Sequence, residues 1–188
     1  GESNQRKRLL RDGIGLSKLY VADLNTDGNM DVVAVYQNNF QLLINDGNGN
    51  FDLQTSRVGN RNSITDIAFE DMNADGELDI IASSGSWIAT YLNDGNLNFV
   101  EETKILNYTN NKKLFIEDID QDGFLDIFSQ NENNTDWYKN NGQGGFIRIT
   151  GNTEQFVYRN AQMIDVDTDG LVDILLDYSE NGIDERRW

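Results

Sequence analysis

Four copies of one nine-residue pattern, D-x-[DN]-x-D-G-x-x-D, divide this chain of 188 residues. The first copy runs from Asp23 to Asp31, and the others begin at Asp71, Asp118 and Asp165. Consecutive copies therefore start 48, 47 and 47 residues apart. A constant period of this length indicates one supersecondary unit repeated along the chain. We expect a repeat fold with one such loop in each unit.

The residue types in the loop are those of a calcium site. Carboxylate or amide oxygens stand at positions 1, 3 and 5, Gly at position 6 permits a sharp turn, and position 7 can offer its backbone carbonyl. The chain has no His and no Cys, which disfavours Zn²⁺ and Cu²⁺. Mg²⁺ fits less well because it keeps its waters. The pattern predicts about four Ca²⁺ ions, one in each repeat; the alternative, an ordinary Asx-rich turn, is disfavoured by four copies in register.

The loop differs from that of an EF-hand, which begins in the same way. An EF-hand loop closes with a bidentate Glu at position 12 and lies between helices. Here the last carboxylate comes at position 9, and the flanking segments, such as 19–22 and 32–35, have the β-branched and apolar character of strands. Position 12 is occupied by Ala34, Ala82, Ser129 and Leu176. The sequence therefore predicts calcium loops between β-strands.

The formal net charge of −17 excludes some classes of partner. Nucleic acids and anionic membrane surfaces are bound by basic surfaces, so neither is expected as a partner. The four loops contain fourteen aspartates, so bound Ca²⁺ would offset much of the charge. No apolar run approaches the ~20 residues of a membrane span, and the first residues lack the apolar region of a signal peptide. We expect no membrane insertion and an export signal, if one exists, outside this chain.

A second element recurs about fourteen residues after each of the first three loops. It is an Asx-Gly turn closing on an aromatic residue, at 45–51, 93–99 and 140–146, which is a hairpin signal. The strands that leave the loops are almost continuously apolar, which indicates burial on both faces. Four-stranded units with buried inner strands predict a β-propeller. The residues before the closing aspartates are expected to anchor the loops in the core: Met30, Leu78, Leu125 and Val172.

These loops and their spacing resemble the FG-GAP/VCBS repeats, which form the calcium-binding propellers of integrin α-subunit heads and of many secreted bacterial proteins. By position, the resemblance implies that side chains at loop positions 1, 3, 5 and 9 and the carbonyl at position 7 are calcium ligands. In the first two loops these are Asp23, Asn25, Asp27, Asn29, Asp31, Asp71, Asn73, Asp75, Glu77 and Asp79. In the last two they are Asp118, Asp120, Asp122, Phe124, Asp126, Asp165, Asp167, Asp169, Leu171 and Asp173.

The predicted fold is an all-β propeller of four four-stranded blades of ~47 residues, forming a single domain over 1–188. The repeats are placed at about 17–59, 60–107, 108–155 and 156–188, with 1–16 supplying the outer strand of the last blade. A closed four-blade ring is favoured because Ser3 falls in register with Phe51 and the last repeat stops near its third strand. The alternative is an arc of a larger propeller with seven or eight blades.

The resemblance implies an extracellular or cell-surface binding or adhesion module that contacts a glycan or a protein, with Ca²⁺ as a structural ion. Trp87, near a strand turn, is the candidate for stacking on a sugar ring, whereas Tyr91, Trp137 and Tyr138 are expected to pack between blades. No catalytic residue is predicted, because the chain lacks His, Cys and a nucleophile elbow. Two alternatives stay open: a propeller part of a secreted polysaccharide-degrading enzyme, either non-catalytic or with lyase-like activity, and a spacer between neighbouring domains of a longer chain.

Overall fold

The computed structural model describes residues 15–36, 40–54, 64–106, 113–130, 135–142, 145–149, 157–170, 172–180 and 183–187. All regular secondary structure in these segments is β-strand. A helix that is long and apolar enough to cross a membrane does not occur in them. The predicted all-β class is therefore confirmed for the part of the chain that the structure describes.

The strands form four antiparallel sheets, which we call blades 1 to 4 in chain order. Within each blade, strands that are neighbours in sequence are neighbours in the sheet. Blades 1 to 3 have four strands each, and blade 4 has three in its described part. Blade 1 contains β1 (Leu16–Ala22), β2 (Asp31–Tyr36), β3 (Phe40–Asn45) and β4 (Phe51–Gln54); blade 2 contains β5 (Ile64–Glu70), β6 (Asp79–Ser84), β7 (Trp87–Asn93) and β8 (Phe99–Leu106). Blade 3 contains β9 (Lys113–Glu117), β10 (Asp126–Gln130), β11 (Thr135–Asn140) and β12 (Phe146–Ile149); blade 4 contains β13 (Val157–Ile164), β14 (Asp173–Glu180) and β15 (Ile183–Arg187).

The two recurring sequence elements occupy the connections for which they were predicted. Each nine-residue pattern joins the first strand of a blade to the second, and its closing Asp is the first residue of the second strand. Each Asx-Gly turn joins the third strand to the fourth. In blade 1, Asn45 pairs with Phe51 across this turn, and the backbone N–H of Asp46 donates to the carbonyl of Asn50 over 3.1 Å.

In blades 1 to 3 the second strands are deeply buried. Every residue of β6 and β10 is buried, as are all but one of β2. A strand between two sheet neighbours can be buried on both faces only if other layers cover the sheet. One apolar core contains residues of blades 1 and 2, including Phe40, Ile67 and Tyr91, and a second contains residues of blades 2 and 3, including Ile81 and Tyr138. Blades 1, 2 and 3 are thus stacked face to face.

Hydrogen bonds also join the blades in chain order. The carboxylate of Asp66 in blade 2 accepts from the Tyr20 hydroxyl of blade 1 over 3.0 Å and from the Leu114 backbone N–H of blade 3 over 2.9 Å. The amide oxygen of Gln130 in blade 3 accepts from the Ala161 N–H of blade 4 over 3.2 Å. Stacked four-stranded blades in sequence order fit the predicted propeller.

The predicted outer strand from the N-terminal segment cannot be compared with the structure, because residues 1–14 lie outside the described part of the chain. The repeat bounds of about 17–59, 60–107, 108–155 and 156–188 likewise stay predictions.

Candidate metal centres

The four loops share one backbone conformation at positions 4 and 6 despite their different sequences. Position 4 of every loop has a positive φ of 55° to 62°, although none of these residues is Gly: Thr26, Ala74, Gln121 and Thr168. Position 6 is always a Gly with φ of 87° to 92°. A left-handed residue that is not Gly costs about 1 to 3 kcal/mol and persists only where its surroundings impose it. The loops are therefore held in one shape by contacts that they share.

The first Asp of each loop supplies one of these contacts. In loop 2, Oδ1 of Asp71 accepts from the N–H of Asp75 over 3.0 Å, and its Oδ2 accepts from the N–H of Gly76 over 2.8 Å. The same pair of bonds recurs in the other three loops at 2.8 to 3.2 Å. The loop backbone is thus wrapped around the first carboxylate.

The closing Asp joins the loop to the third strand. Asp79 is fully buried; its Oδ2 accepts from the N–H of Met72 at loop position 2, and its Oδ1 accepts from the N–H of Asn93 at the end of β7, each over 2.8 Å. Asp31 and Asp126 are also fully buried and accept the equivalent pairs of bonds. These carboxylates therefore have a structural role whether or not an ion is bound.

Sequence reasoning missed the role of the asparagine that begins each Asx-Gly turn. Besides donating its N–H to the closing Asp, Asn140 donates from Nδ2 to the carbonyl of Leu125 over 3.1 Å and accepts the N–H of Gly142 at Oδ1 over 3.0 Å. Asn45 and Asn93 make the same three contacts, and Asn93 also reaches the carbonyl of Leu24 in blade 1 over 3.1 Å. The signal in the sequence was the constant spacing of fourteen residues from the closing Asp.

In loops 3 and 4 three candidate carboxylates lie close together. Carboxylate oxygens of Asp118, Asp120 and Asp122 lie within 4.8 Å of one another, as do those of Asp165, Asp167 and Asp173. Loops 1 and 2 have Asn25 and Asn73 at position 3, and their amide groups contact the position 5 carboxylates. At position 7, the N–H groups of Asn29, Glu77 and Phe124 donate to the same position 5 carboxylates at 2.8 to 3.0 Å; Leu171 lies outside the described residues.

The sequence matches the FG-GAP-like repeat in three overlapping stretches, 23–82, 71–128 and 118–176, and each stretch begins at the first Asp of a loop and contains the next loop's motif. Together they cover most of the chain. The chain belongs to the FG-GAP-like repeat family.

Solved structures similar to this FG-GAP chain share its fold at low sequence identity. A lectin from Agrocybe aegerita, described as recognising non-reducing terminal N-acetylglucosamine, is 18% identical with a TM-score of 0.65; the similarity covers 93% of this chain and 53% of the lectin. The Photorhabdus luminescens Tc holotoxin pore is 19% identical with a TM-score of 0.55, covering 85% of this chain and 8% of that one. The chain thus spans about half the length of the lectin. Among curated proteins, none is significantly similar to it.

Electrostatics distinguish the two kinds of Asp in the FG-GAP loops. Burial raises the pKa of Asp31, Asp79 and Asp126, and neighbouring loop carboxylates add to the effect. In contrast, the backbone N–H of Asn29 lowers the pKa of Asp27, which is exposed. A buried carboxylate that is disfavoured in its charged form by other carboxylates would be stabilised by a nearby cation. The donor set and its electrostatics therefore fit a hard divalent ion.

The apolar anchors of the loops are only partly those expected from the sequence. Leu78 and Leu125 are partly buried against the cores, but Met30 is 58% exposed and Val172 is 40% exposed. In loops 1 and 2 the fully or nearly buried residue is instead at position 2, Leu24 and Met72. Leu24 belongs to the core of blades 1 and 2 and Met72 to the core of blades 2 and 3. The bond from the position 2 N–H to the closing Asp does not by itself bury this residue, since Val166 makes the same bond and is 41% exposed.

Tyr91 and Tyr138 pack in the cores between blades, as expected, and each is 2% exposed. Trp87 is also buried, with 6% of its surface exposed, and belongs to the core of blades 1 and 2. Its candidate role in stacking on a sugar is therefore contradicted by its position. Trp137 is only partly buried, and its indole Nε1 donates to Oδ2 of the closing Asp126 over 3.0 Å.

Proposed function

We propose that this chain is a calcium-stabilised binding module that acts outside the cell or at the cell surface and takes a glycan as its ligand. The observation that carries the calcium part is the shared loop geometry. In all four loops the first carboxylate organises the backbone, and in three of them a fully buried carboxylate closes the loop. Oxygen donors and the absence of His and Cys favour Ca²⁺ over softer metals.

In this proposal the residues at positions 1, 3, 5 and 9 of each loop, with the carbonyl at position 7, hold about four Ca²⁺ ions. The ion would neutralise carboxylates that now repel one another and would tie the loop between the first two strands to the turn after the third. Its role is structural. The ligand surface would then lie elsewhere on the blades, because rigid scaffolds usually present recognition residues on loops.

The glycan part of the proposal is supported by the likeness to the Agrocybe aegerita lectin, which shares the fold over 93% of this chain. At 18% identity this likeness carries no residue roles over. The burial of Trp87 means that a sugar would have to be held by other groups. An extracellular protein is the other ligand class that the test must separate.

A glycan array with and without Ca²⁺ tests the proposal, and glycans with terminal N-acetylglucosamine are the first to inspect. We expect one glycan class to be bound in millimolar Ca²⁺ and lost in EGTA. The variant Asp27→Ala, assayed in saturating Ca²⁺ well below its melting temperature, should keep glycan binding if the ion is structural. Absence of binding to any glycan by the folded, calcium-loaded protein would reject a carbohydrate ligand and leave a protein ligand.

We also propose that the four blades are consecutive blades of a larger ring rather than a closed ring of four. Ile67 of blade 2 and Leu114 of blade 3 lie three residues before the ends of their first strands, and each is 6% exposed in a core shared with the preceding blade. The equivalent residue of blade 1, Leu19, is 55% exposed, and Val21 is 59% exposed. Coverage of about half of the lectin agrees with this arrangement.

Lysine substitutions on these strands distinguish an arc from a ring. The double variant Leu19→Lys with Val21→Lys should leave the melting temperature of this chain nearly unchanged, because both side chains already face water. The matched variant Ile67→Lys, which places a charge between two blades, should destabilise the protein by about 3 kcal/mol or more. If the double variant is destabilised as strongly as Ile67→Lys, the first blade is covered and the ring is closed.

A further inference from the structure

Loop 3 differs from loops 1 and 2 because a lysine side chain reaches into it. Lys139, which immediately precedes the turn asparagine of blade 3, forms ion pairs with Asp120 at position 3 and with Asp122 at position 5, the latter over 2.9 Å. The three side chains are 27% to 31% exposed. The corresponding residues before the turn asparagines of blades 1 and 2 are Ile44 and Leu92.

In loops 1 and 2 the position 3 residue itself supplies the donor that Lys139 supplies in loop 3. Nδ2 of Asn25 donates to Oδ2 of Asp27 over 3.0 Å, and Nδ2 of Asn73 donates to Asp75 over 2.9 Å. Loop 3 has an Asp in place of this Asn, so it carries one more negative charge and, beside it, one positive charge. The charge of the side chains at positions 1, 3, 5 and 9 of loop 3, taken together with Lys139, therefore equals the charge at the same positions of loops 1 and 2.

We propose that the ammonium group of Lys139 is a built-in counter-ion of loop 3, which holds the loop in shape without a divalent ion and must be displaced before Ca²⁺ can bind. This inference rests on the proposed binding of Ca²⁺ by the loops. Its consequence is that loop 3 binds Ca²⁺ more weakly than its four carboxylates would otherwise allow.

The chemistry of the two donors explains why they act differently towards an ion. A carboxamide has an oxygen and a nitrogen at the same end, so rotation of the amide of Asn25 or Asn73 turns a donor into a metal ligand. An ammonium group has three donors and no acceptor, so it cannot become a ligand. Lys139 must therefore leave the oxygens of Asp120 and Asp122 when Ca²⁺ arrives, and its charge would then repel the ion from nearby.

The spacing along the chain predicts a basic residue in the same position beside loop 4, but the strand register of blade 4 places that residue away from the closing Asp. Arg186 follows Asp173 by the thirteen residues that separate Lys139 from Asp126. In blade 3, Ile127 pairs with Tyr138, so Lys139 lies level with Asp126. In blade 4, Arg186 pairs with Asp177, four residues beyond the closing Asp. The proposal therefore concerns loop 3.

Trp137 provides a spectroscopic reporter for this loop. Its indole donates to Asp126, whereas Trp87 stands at the opposite end of β7 from loop 2. Terbium replaces Ca²⁺ in oxygen-ligand sites and emits when a nearby excited indole transfers energy to it. Emission that is excited through tryptophan and disappears in Trp137→Phe therefore reports the occupancy of loop 3.

The experiment titrates Tb³⁺ into the wild-type chain, Lys139→Met, Lys139→Arg and the control Lys113→Met, and then displaces it with Ca²⁺. Lys113 lies over the ring of Phe115. The variant Lys113→Met therefore removes one positive charge, as Lys139→Met does, but at a different place. We expect Lys139→Met to tighten binding at loop 3 by about tenfold, because a divalent or trivalent ion and an ammonium group ~4 Å apart repel even in water. Lys139→Arg and Lys113→Met should remain close to wild type.

A second arm measures melting temperatures in EGTA. We expect Lys139→Met to be less stable than Lys113→Met there, because loop 3 then has unpaired carboxylates. Equal affinities for Lys139→Met and wild type at loop 3, or equal melting temperatures of the two Met variants in EGTA, would overturn the counter-ion role. If no variant binds Tb³⁺ or Ca²⁺ at any loop, the calcium proposal itself fails, and this inference fails with it.

Discussion

Removal of Ca²⁺ with EGTA is expected to lower the melting temperature by more than about 10 °C. Extracellular calcium modules have Kd values of about 10⁻⁴ to 10⁻³ M, and a site at 100 times its Kd stabilises the folded state by about 2.7 kcal/mol. Four independent sites would contribute about 11 kcal/mol, which is comparable with the roughly 5 to 15 kcal/mol that separates folded from unfolded domains. Without the ions, fourteen loop aspartates also repel one another.

Differential scanning calorimetry in EGTA, in millimolar Ca²⁺ and in equal Mg²⁺ measures this effect. Ca²⁺ should restore the melting temperature fully and Mg²⁺ only in part, because Mg²⁺ releases its waters reluctantly. A melting temperature that does not depend on Ca²⁺ would contradict the calcium proposal and identify the loops as Asx-Gly turns held by their own hydrogen bonds.

The pH dependence of the same melts provides an internal control. In EGTA the closing carboxylates have pKa values raised by burial above the usual 3.8, so the folded state binds protons more readily than the unfolded state. Stability should therefore rise as the pH falls through these raised values towards 3.8. Below 3.8 the gain stops, because the closing carboxylates are then protonated in both states, and groups with a lowered pKa such as Asp27 lose their stabilising bonds. In Ca²⁺, protons compete with the ion and the slope should be reversed.

The replacement of a buried closing carboxylate should have the largest effect of any single substitution in the loops. In EGTA, Asp79→Ala is expected to lower the free energy of unfolding by about 3 to 5 kcal/mol, because the buried N–H groups of Met72 and Asn93 lose their acceptor at about 1 to 3 kcal/mol each and a cavity is left. Denaturant titration in EGTA measures this effect without any contribution from ion binding.

The matched control is Asp75→Ala in the same loop. Asp75 is exposed, so water can replace the contact that it makes with the N–H of Glu77, and its loss should cost less than about 1 kcal/mol in EGTA. Asp79→Asn, which retains one acceptor, should fall between the two and remains measurable if Asp79→Ala does not fold. Equal costs for Asp79→Ala and Asp75→Ala would show that the closing carboxylate does not join the loop to the third strand.

Much of the architecture could be predicted because the loop motif depends on local chemistry. Gly at position 6 and the first Asp define one turn whose hydrogen bonds span only five residues, so the same letters produce the same backbone in all four copies. The continuous apolarity of β6 and β10 likewise predicted burial on both faces. The position of the nine-residue loops between first and second strands followed from the turn motif and from the apolar strand after it.

The prediction of which apolar residues anchor the loops was only partly right, because burial of a loop side chain depends on the direction in which it points. Met30 and Leu24 are both apolar loop residues, yet only Leu24 is buried. The difference arises because Leu24 packs in the core of blades 1 and 2, whereas Met30 is 58% exposed. The sequence was equally insufficient to predict the burial of Trp87. Its position near a turn suggested exposure, whereas packing between blades 1 and 2 buries it.

The sequence was sufficient for the repeat, its period, the place of the loops between strands and the family, since each rests on residues within one unit of ~47. Contacts between units depended on the three-dimensional arrangement. Whether Leu19 meets another blade depends on how the sheets stack, and whether a residue thirteen places after a closing Asp lies level with that Asp, as Lys139 does and Arg186 does not, depends on strand register. Such contacts join residues that are distant in the chain, so no local pattern of letters specifies them.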